Sequence, residues 1–371
     1  MKAGIVGLEQ SGKTTLFRAI TKGQAPVDEY GGRANVGVVP VPDERLWWIA
    51  DKYRPRKVTP ASIEFIDGAA RMTEEQRGKF GQPAGTGAPP RGGFQILPEM
   101  RGSDALLHVV RAFTTPAGDP PTPAKDAREL TDELVLADLQ AIETRLARLE
   151  KSLISVRHGT TTPETIERDL LARVKAVLES GQLVKSVPLA PDEEKMVRGF
   201  DFMTGKPQVA VANIPESDIG QPESGAAGEL RAYCEETGLP MVTLSAKVEA
   251  EIAELPEDEQ REYLEAMGLT EPASDRLARE TYDALGLITF YTASEPEVRA
   301  WTVPKGTHVI DAAGKVHTDM ARGFIRAEVG HFDEVKAAGG WEEAKRAGVV
   351  HLQTKDYVVQ DGDIAYIRFK V

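Results

Sequence analysis

The sequence predicts a doubly wound α/β fold with a mainly parallel sheet, an inserted antiparallel helical hairpin and a C-terminal β-rich domain. A glycine motif near the beginning of the chain lies between an apolar strand and an amphipathic helix. Five further strand-like runs follow, and several of them are near-continuous apolar runs without strict alternation, which is typical of strands buried on both faces of a parallel sheet. In the middle of the chain, leucine and isoleucine recur every three or four residues, which indicates long helices that pack along one seam.

Composition limits the classes of protein that this chain can belong to. Its 371 residues suggest two or three domains, and 41% hydrophobic with 28% charged residues argues against a largely disordered chain. The net charge of −13 argues against a nucleic-acid-binding surface over the whole molecule, but it does not exclude a local basic contact. Sequence-specific DNA binding is not expected. Without an apolar run of membrane-spanning length or a signal peptide, and with Cys234 as the only cysteine, the chain is expected to be cytoplasmic, with no membrane partner.

The glycine motif predicts a phosphate-binding loop of the form G-x-x-x-x-G-K-[ST]. The strand at residues 3–6 precedes it and a helix follows, so successive backbone N–H groups and the helix N-terminus can surround a phosphate. Lys13 is expected to reach the β- and γ-phosphates, and the Thr14 hydroxyl to bind Mg²⁺. The expected nucleotide-binding residues here are Gly7, Leu8, Glu9, Gln10, Ser11, Gly12, Lys13, Thr14 and Thr15.

Further polar residues follow the predicted strands, at the edge where α/β sheets bind ligands. The run 62–67 ends in Asp67, a second expected Mg²⁺ ligand, and the run 208–213 ends in Asn213. An N-x-x-D pattern would recognise guanine, but the fourth residue here is Glu216, which is one methylene longer and weakens that prediction. The expected base-side residues are Asn213, Ile214, Glu216, Ser245, Ala246 and Lys247.

These patterns divide the chain into three predicted domains. Residues 1–125 and 206–286 form the nucleotide-binding domain, and residues 126–205 form the helical coiled-coil hairpin. Residues 287–371 form a small α+β domain of short strands around few helices. We expect the hairpin seam to be internal packing, whereas its tip near Arg157 and His158 is predicted to contact a partner.

Longer strings resemble the YchF / Obg-like ATPase family, a branch of the translation-factor-related P-loop GTPases. These strings lie at 35–43, 60–67, 133–139, 297–302, 317–328 and 355–363. The resemblance implies a P-loop NTPase domain, a C-terminal ubiquitin-like β-grasp domain of the TGS type, and an ATP-preferring switch with slow hydrolysis. It also implies Mg²⁺ bound with the nucleotide, and the ribosome or other translation components as partners. Asn213 and Glu216 correspond to the N-x-x-E motif of the family, which supports adenine.

Three departures from the family pattern leave the activity open. The family loop usually reads G-x-P-N-V-G-K-S, and residues 8–11 differ throughout and add the acid Glu9. Residues 30–34 lack the threonine expected in the first switch, and residues 67–71 lack the glycine of D-x-A-G in the second. No catalytic base can be assigned. The alternatives to a slow ATPase are a hydrolysis-deficient or nucleotide-insensitive scaffold of the same family and a GTP-selective switch.

Overall fold

The computed structural model describes residues 1–27, 34–68, 98–154, 161–221 and 225–370. The predicted hairpin tip, Arg157 with His158, and residues 69–71 of the second switch lie outside these ranges. The described helices are α1 Lys13–Ile20, α2 Glu44–Tyr53, α3 Pro98–Arg101, α4 Pro123–Leu153, α5 Pro163–Glu179, α6 Pro191–Arg198, α7 Gly225–Thr237, α8 Ala246–Glu254, α9 Glu257–Ala266, α10 Ala273–Ala284, α11 Val309–Val316, α12 Thr318–Arg322, α13 Phe332–Ala338 and α14 Trp341–Ala347.

Twelve strands in the described ranges form two six-stranded sheets. The strands are β1 Lys2–Val6, β2 Asn35–Pro40, β3 Lys57–Thr59, β4 Ser62–Asp67, β5 Ala105–Arg111, β6 Gln208–Asn213, β7 Met241–Leu244, β8 Leu287–Ala293, β9 Glu297–Pro304, β10 Phe324–His331, β11 His351–Gln353 and β12 Asp363–Phe369. The first sheet has the order β2-β4-β1-β5-β6-β7, and the second has the order β11-β10-β12-β8-β9-β3.

The first sheet is the predicted α/β sheet. Strands β1, β5, β6 and β7 pair in parallel, and the residues of β5 from Ala105 to Val110 are all buried. Helix α7 packs against β6 in a cluster that contains Leu230, Tyr233, Ala210 and Ala212. Because these parallel strands end at the same edge, the segments after β1, β6 and β7 can meet in one ligand site.

The helical hairpin lies between β5 and β6 in the chain, as predicted. Helices α4 and α5 share a core that includes Ile142, Leu149, Leu170 and Val174, all from the predicted seam. Thr162 caps α5 by accepting a hydrogen bond from the Thr165 backbone, with proline at the first helical position. Along the seam, Glu167 accepts two hydrogen bonds from the Arg145 guanidinium of α4, at 2.5 and 2.8 Å.

The second sheet has the β-grasp arrangement. Strands β8 and β9 form an antiparallel pair, β12 runs parallel to β8, and β10 pairs with β12 in the antiparallel direction. Helix α11 covers one face, where Val309 and Ala312 pack with Phe290, Val329 and Ala365. A seven-residue helix, α14, occupies residues 341–347.

The compact units divide the chain differently from the predicted domains, at Val38–Glu64, at residues 274–286 and at the hairpin. One unit comprises Met1–Gly37 and Phe65–Ala273, and the other comprises Val38–Glu64 and Ser274–Val371. The segment Val38–Glu64 therefore groups with the β-grasp residues rather than with 1–125, and the residues of the hairpin are not separated from the nucleotide-binding part. The physical reason is that β3 adds to the second sheet through a parallel pairing with β9.

Candidate nucleotide site

The phosphate loop connects β1 to α1 and depends on two glycines. A Cβ atom at Gly7 would lie 2.4 Å from the carbonyl oxygen of Val109, which leaves no room for a side chain. Gly12 has a φ of 93°, and a Cβ atom there would lie 2.2 Å from Nδ2 of Asn213. Gln10 also adopts a positive φ, 62°, which is uncommon for a residue other than glycine. The backbone of the loop is thus held in a conformation that few sequences allow.

Lys13 is the first residue of α1, and its ammonium group lies against the loop. Its Nζ donates hydrogen bonds to the carbonyl oxygens of Gly7 at 2.9 Å and Leu8 at 2.7 Å. Burial lowers the pKa of Lys13, while the nearby charges of Asp67 and Glu9 oppose that shift. The arrangement holds a cation beside the turned backbone of the loop, where a phosphate chain would bind.

Asp67 and Thr14 form a second polar group in this site. Asp67 ends β4 with no exposed surface, and burial raises its pKa, while hydrogen bonds from Thr14 and Asn35 oppose the shift. Within the described residues, its Oδ1 atom has no hydrogen-bond partner. A buried carboxylate oxygen without a partner, beside a threonine hydroxyl, supplies the hard oxygen ligands that Mg²⁺ prefers. These two residues therefore fit the predicted metal.

Asn213, at the end of β6, links the phosphate loop to the loop after β7. Its Nδ2 donates to the carbonyl oxygen of Ser11 at 2.9 Å, and its Oδ1 accepts from the backbone N–H of Ala246 at 2.9 Å. The side-chain amide of Asn213, which would face a purine base, thereby fixes the distance between the phosphate loop and the loop after β7. Ser245, which directly precedes Ala246, is buried and is the N-cap of α8.

The remaining predicted residues occupy different environments. Ile214 is buried in the cluster around α7, and its backbone N–H donates to the carbonyl oxygen of Leu244. Glu216 and Lys247 approach each other at 3.6 Å, with more than half of each side chain exposed. Thr15 is exposed on the outer side of α1's first turn. The structure thus brings the two loops together through Asn213, and leaves Glu216 accessible beside Lys247.

Two residues near the site were not predicted to belong to it. Asn35, at the beginning of β2, donates a hydrogen bond of 3.4 Å from its side-chain amide to the Asp67 carboxylate. His108 of β5 lies with Glu9, Ser11 and residues that include Arg111 around a cavity of about 10 Å³. Burial lowers the pKa of His108 to about 4, which keeps the imidazole neutral. The surrounding apolar residues 106–110 are typical of a core strand and give no sign of a ligand site. The place of His108 beside the phosphate loop follows from the pairing of β5 with β1, in which His108 lies opposite Val6.

Comparison with known proteins identifies the family of this chain. A Bacillus subtilis protein named Ribosome-binding ATPase YchF is 37% identical over 379 residues, which cover 100% of both chains. The chain belongs to the YchF family. A protein from Oryza sativa subsp. japonica named Obg-like ATPase 1 is 32% identical, over 100% of this chain and 92% of that protein. A YchF C-terminal family model, YchF-GTPase_C, with the description "Protein of unknown function (DUF933)", matches residues 287–370.

Solved structures agree with this assignment. The YchF GTPase from Schizosaccharomyces pombe aligns with a TM-score of 0.80 and 28% identity, over 99% of this chain and 97% of that chain. A GTP-binding protein from Pyrococcus horikoshii aligns with a TM-score of 0.53 and 18% identity over 100% of both chains. The second likeness concerns the fold alone. The YchF likeness extends across both the α/β sheet and the β-grasp sheet.

Proposed function

We propose that this YchF-family chain is a nucleotide-binding switch that prefers ATP, hydrolyses it slowly to ADP and phosphate, and acts on the ribosome or another part of the translation machinery. The observation that carries the proposal is the position of the Lys13 ammonium, which hydrogen-bonds to the carbonyl oxygens of the phosphate loop. Asn213 holds the same loop through Ser11. This arrangement supports binding of a phosphate chain with a purine base beside it.

The choice of base is supported by Glu216 and by the names of the relatives. The bacterial and rice relatives are named ATPases, and Glu216 stands where a guanine-reading site would have aspartate. The yeast relative, in contrast, is named a GTPase. A GTP-selective switch is therefore the second candidate, and Glu216 is the residue whose base contact separates the two.

The chemistry proposed for the site is phosphoryl transfer to water. Thr14 and Asp67 would hold Mg²⁺, which neutralises negative charge on the phosphates when bound. Lys13 orients the phosphate chain, and the two glycines bring backbone N–H groups close to it. Phosphoryl transfer depends mainly on positioning of the reactants and on charge neutralisation. Slow hydrolysis therefore does not require a catalytic general base, and none is assigned among the described residues.

The proposed partner and location rest on the relatives. The Bacillus subtilis and Pasteurella multocida relatives are both named ribosome-binding ATPases, and each alignment covers all of this chain. We propose the same partner here, together with a cytoplasmic location. In the described ranges, no helix combines the length and apolar character that crossing a bilayer requires.

The first test is equilibrium titration with fluorescent ATP and GTP analogues in the presence of Mg²⁺. Lys13→Ala should lose binding, because it removes the cation of the loop, whereas Lys151→Ala removes an exposed lysine of α4 and should bind as the unmodified chain does. ATP preference that is lost only in Lys13→Ala supports the proposal. GTP preference would support the second candidate and contradict the interpretation of Glu216.

A second measurement tests the scaffold alternative. Co-sedimentation with ribosomes should depend on whether ATP, ADP or no nucleotide is present if the chain is a switch. Equal sedimentation in all three conditions, together with no nucleotide binding in the titration, would replace the switch with a nucleotide-insensitive scaffold.

A further inference from the structure

The phosphate loop carries one acidic side chain, Glu9, at the third position of the motif. Glu9 is exposed, and the left-handed backbone of Gln10 follows it directly. Within the described residues, no ion pair or hydrogen bond of its side chain is found. A carboxylate without a partner is thus placed in a loop whose other features favour an anion.

The charges around Glu9 are nearly balanced. The Lys13 ammonium is close enough for the Glu9 charge to raise the lysine's pKa against the effect of burial. Arg111 and Asp126 line the same small cavity as Glu9. The Arg111 guanidinium donates to the backbone carbonyls of Phe113 and Asp119, so its hydrogen bonds are directed away from the carboxylate. The positive charge that would attract phosphate at this loop is therefore offset by Glu9.

The loss of binding free energy that Glu9 causes depends on the number of phosphates in the nucleotide. Lys13 in a phosphate loop reaches the β- and γ-phosphates, so these groups would bind beside a lysine on which the Glu9 charge acts. Coulomb repulsion falls with distance and is screened beyond about 10 Å at 0.1 M salt. The γ-phosphate of a triphosphate would add negative charge beside Lys13, within the range at which the Glu9 charge acts, whereas a diphosphate lacks it.

We propose that Glu9 is a specificity-determining residue, which lowers the affinity for a nucleoside triphosphate more than the affinity for the diphosphate. The inference rests on the proposed function, because it concerns the same site. Through this effect, the Glu9 side chain shifts the switch toward the diphosphate-bound state. Binding of a triphosphate then depends more strongly on the accompanying Mg²⁺, since the metal offsets the charge that Glu9 repels.

The test compares Glu9→Gln with the unmodified chain by titration with fluorescent ATP and ADP analogues plus Mg²⁺, at 50 mM and 300 mM salt. Glu9→Gln should raise the ratio of ATP to ADP affinity by about three- to thirty-fold, the effect of one unit charge several ångströms away. The gain should shrink at the higher salt concentration, which a purely structural effect of the substitution would not do.

Two control variants isolate the charge and its position. Glu9→Asp keeps the charge and should retain the affinity ratio of the unmodified chain. Glu150→Gln removes the same charge from an exposed position on α4 and should also leave the ratio unchanged. Far-ultraviolet circular dichroism checks that each variant is folded.

An unchanged ratio in Glu9→Gln, when the unmodified chain binds both nucleotides, would overturn this inference and leave the proposed function intact. An equal gain in Glu150→Gln would also overturn it, because the effect would then be one of net charge. If neither the unmodified chain nor Glu9→Gln binds any nucleotide, the proposed function fails and this inference with it. Binding of ATP by Glu9→Gln alone would support the inference.

Discussion

Arg45 and Asp361 are 316 positions apart in the chain, and their side chains form an ion pair of 2.6 Å between Nη1 and Oδ2. The same guanidinium donates to both carboxylate oxygens of Asp43, the N-cap of α2. Tyr291 donates to Asp43 from β8, and Asp361 accepts from the backbone N–H of Thr289. Arg45 thus joins the beginning of α2 to the β-grasp sheet within one compact unit.

We predict that Arg45→Ala lowers the free energy of unfolding of this unit by about 1–2 kcal/mol, because two carboxylates lose a partly buried partner. Urea unfolding followed by tryptophan fluorescence measures this unit alone, since all four tryptophans, at 47, 48, 301 and 341, belong to it. Arg322→Ala is the control, because that side chain is 79% exposed and should change stability by less than about 0.5 kcal/mol. Equal effects of both variants would contradict the assigned role of Arg45.

The two glycines Gly12 and Gly118 provide a matched pair for testing the phosphate loop. Their φ angles are 93° and 92°, but only at Gly12 would a Cβ atom meet another group, Nδ2 of Asn213. Both alanine variants should lose about 1 kcal/mol of stability, because alanine disfavours positive φ. Gly12→Ala should also reduce nucleotide affinity by at least about tenfold, since displacing Asn213 breaks its hydrogen bond to Ser11.

Titration of both glycine variants with the preferred nucleotide decides this prediction. Gly118→Ala should bind with the affinity of the unmodified chain. If the two variants bind equally well, the contact between Gly12 and Asn213 does not control the site.

The buried His108 predicts a dependence of stability on pH. Its pKa falls from 6.5 to about 4 on folding, so between these values the unfolded chain binds a proton that the folded chain excludes. The free energy of unfolding should therefore decrease as pH falls from 6.5 toward 4, by at most about 3 kcal/mol from this residue. Stability gained from the neutral imidazole is fully present only above pH 6.5.

Urea unfolding of the unmodified chain and His108→Gln at pH 7 and pH 5, followed by circular dichroism, measures this contribution. His108→Gln should show a smaller loss between the two pH values, because glutamine does not titrate. His317→Gln alters a largely exposed histidine and should keep the loss seen in the unmodified chain. The same loss in both variants would show that other groups cause the acid sensitivity.

Much of the α/β sheet could be predicted from the sequence because its signals are local. The apolar runs at 62–67 and 208–213 became β4 and β6 with the predicted bounds. The glycine motif likewise indicated the turn from β1 to α1 by itself. Residues 357–359, Tyr-Val-Val, have high β propensity but do not form a strand, and Val358 forms only an isolated bridge with His308. There, short-range β propensity was overridden by the pairing of the surrounding chain.

What the sequence could not predict depends on contacts between distant residues. Strand β3 has only three residues, Lys57 to Thr59, too few for a recognisable pattern, and its partner strand is known only after folding.

Asp138 was part of a family string, but its position in the sequence gave no sign that its side chain would be fully buried. It accepts hydrogen bonds from the backbone N–H groups of Met203 and Thr204, which fixes the return from the hairpin to β6.

The pairing of β3 with β9 has a consequence for the order in which the protein is made. Thr59 and its partner Glu297 are 238 positions apart, so at about 5–20 residues per second the ribosome synthesises β9 more than about ten seconds after β3. During that time the early strand has no partner. A fragment of residues 287–370 made alone would in turn present the open edge of β9, a surface prone to association with other chains. Completion of the β-grasp unit therefore waits until β12 has been synthesised, long after β3 has left the ribosome.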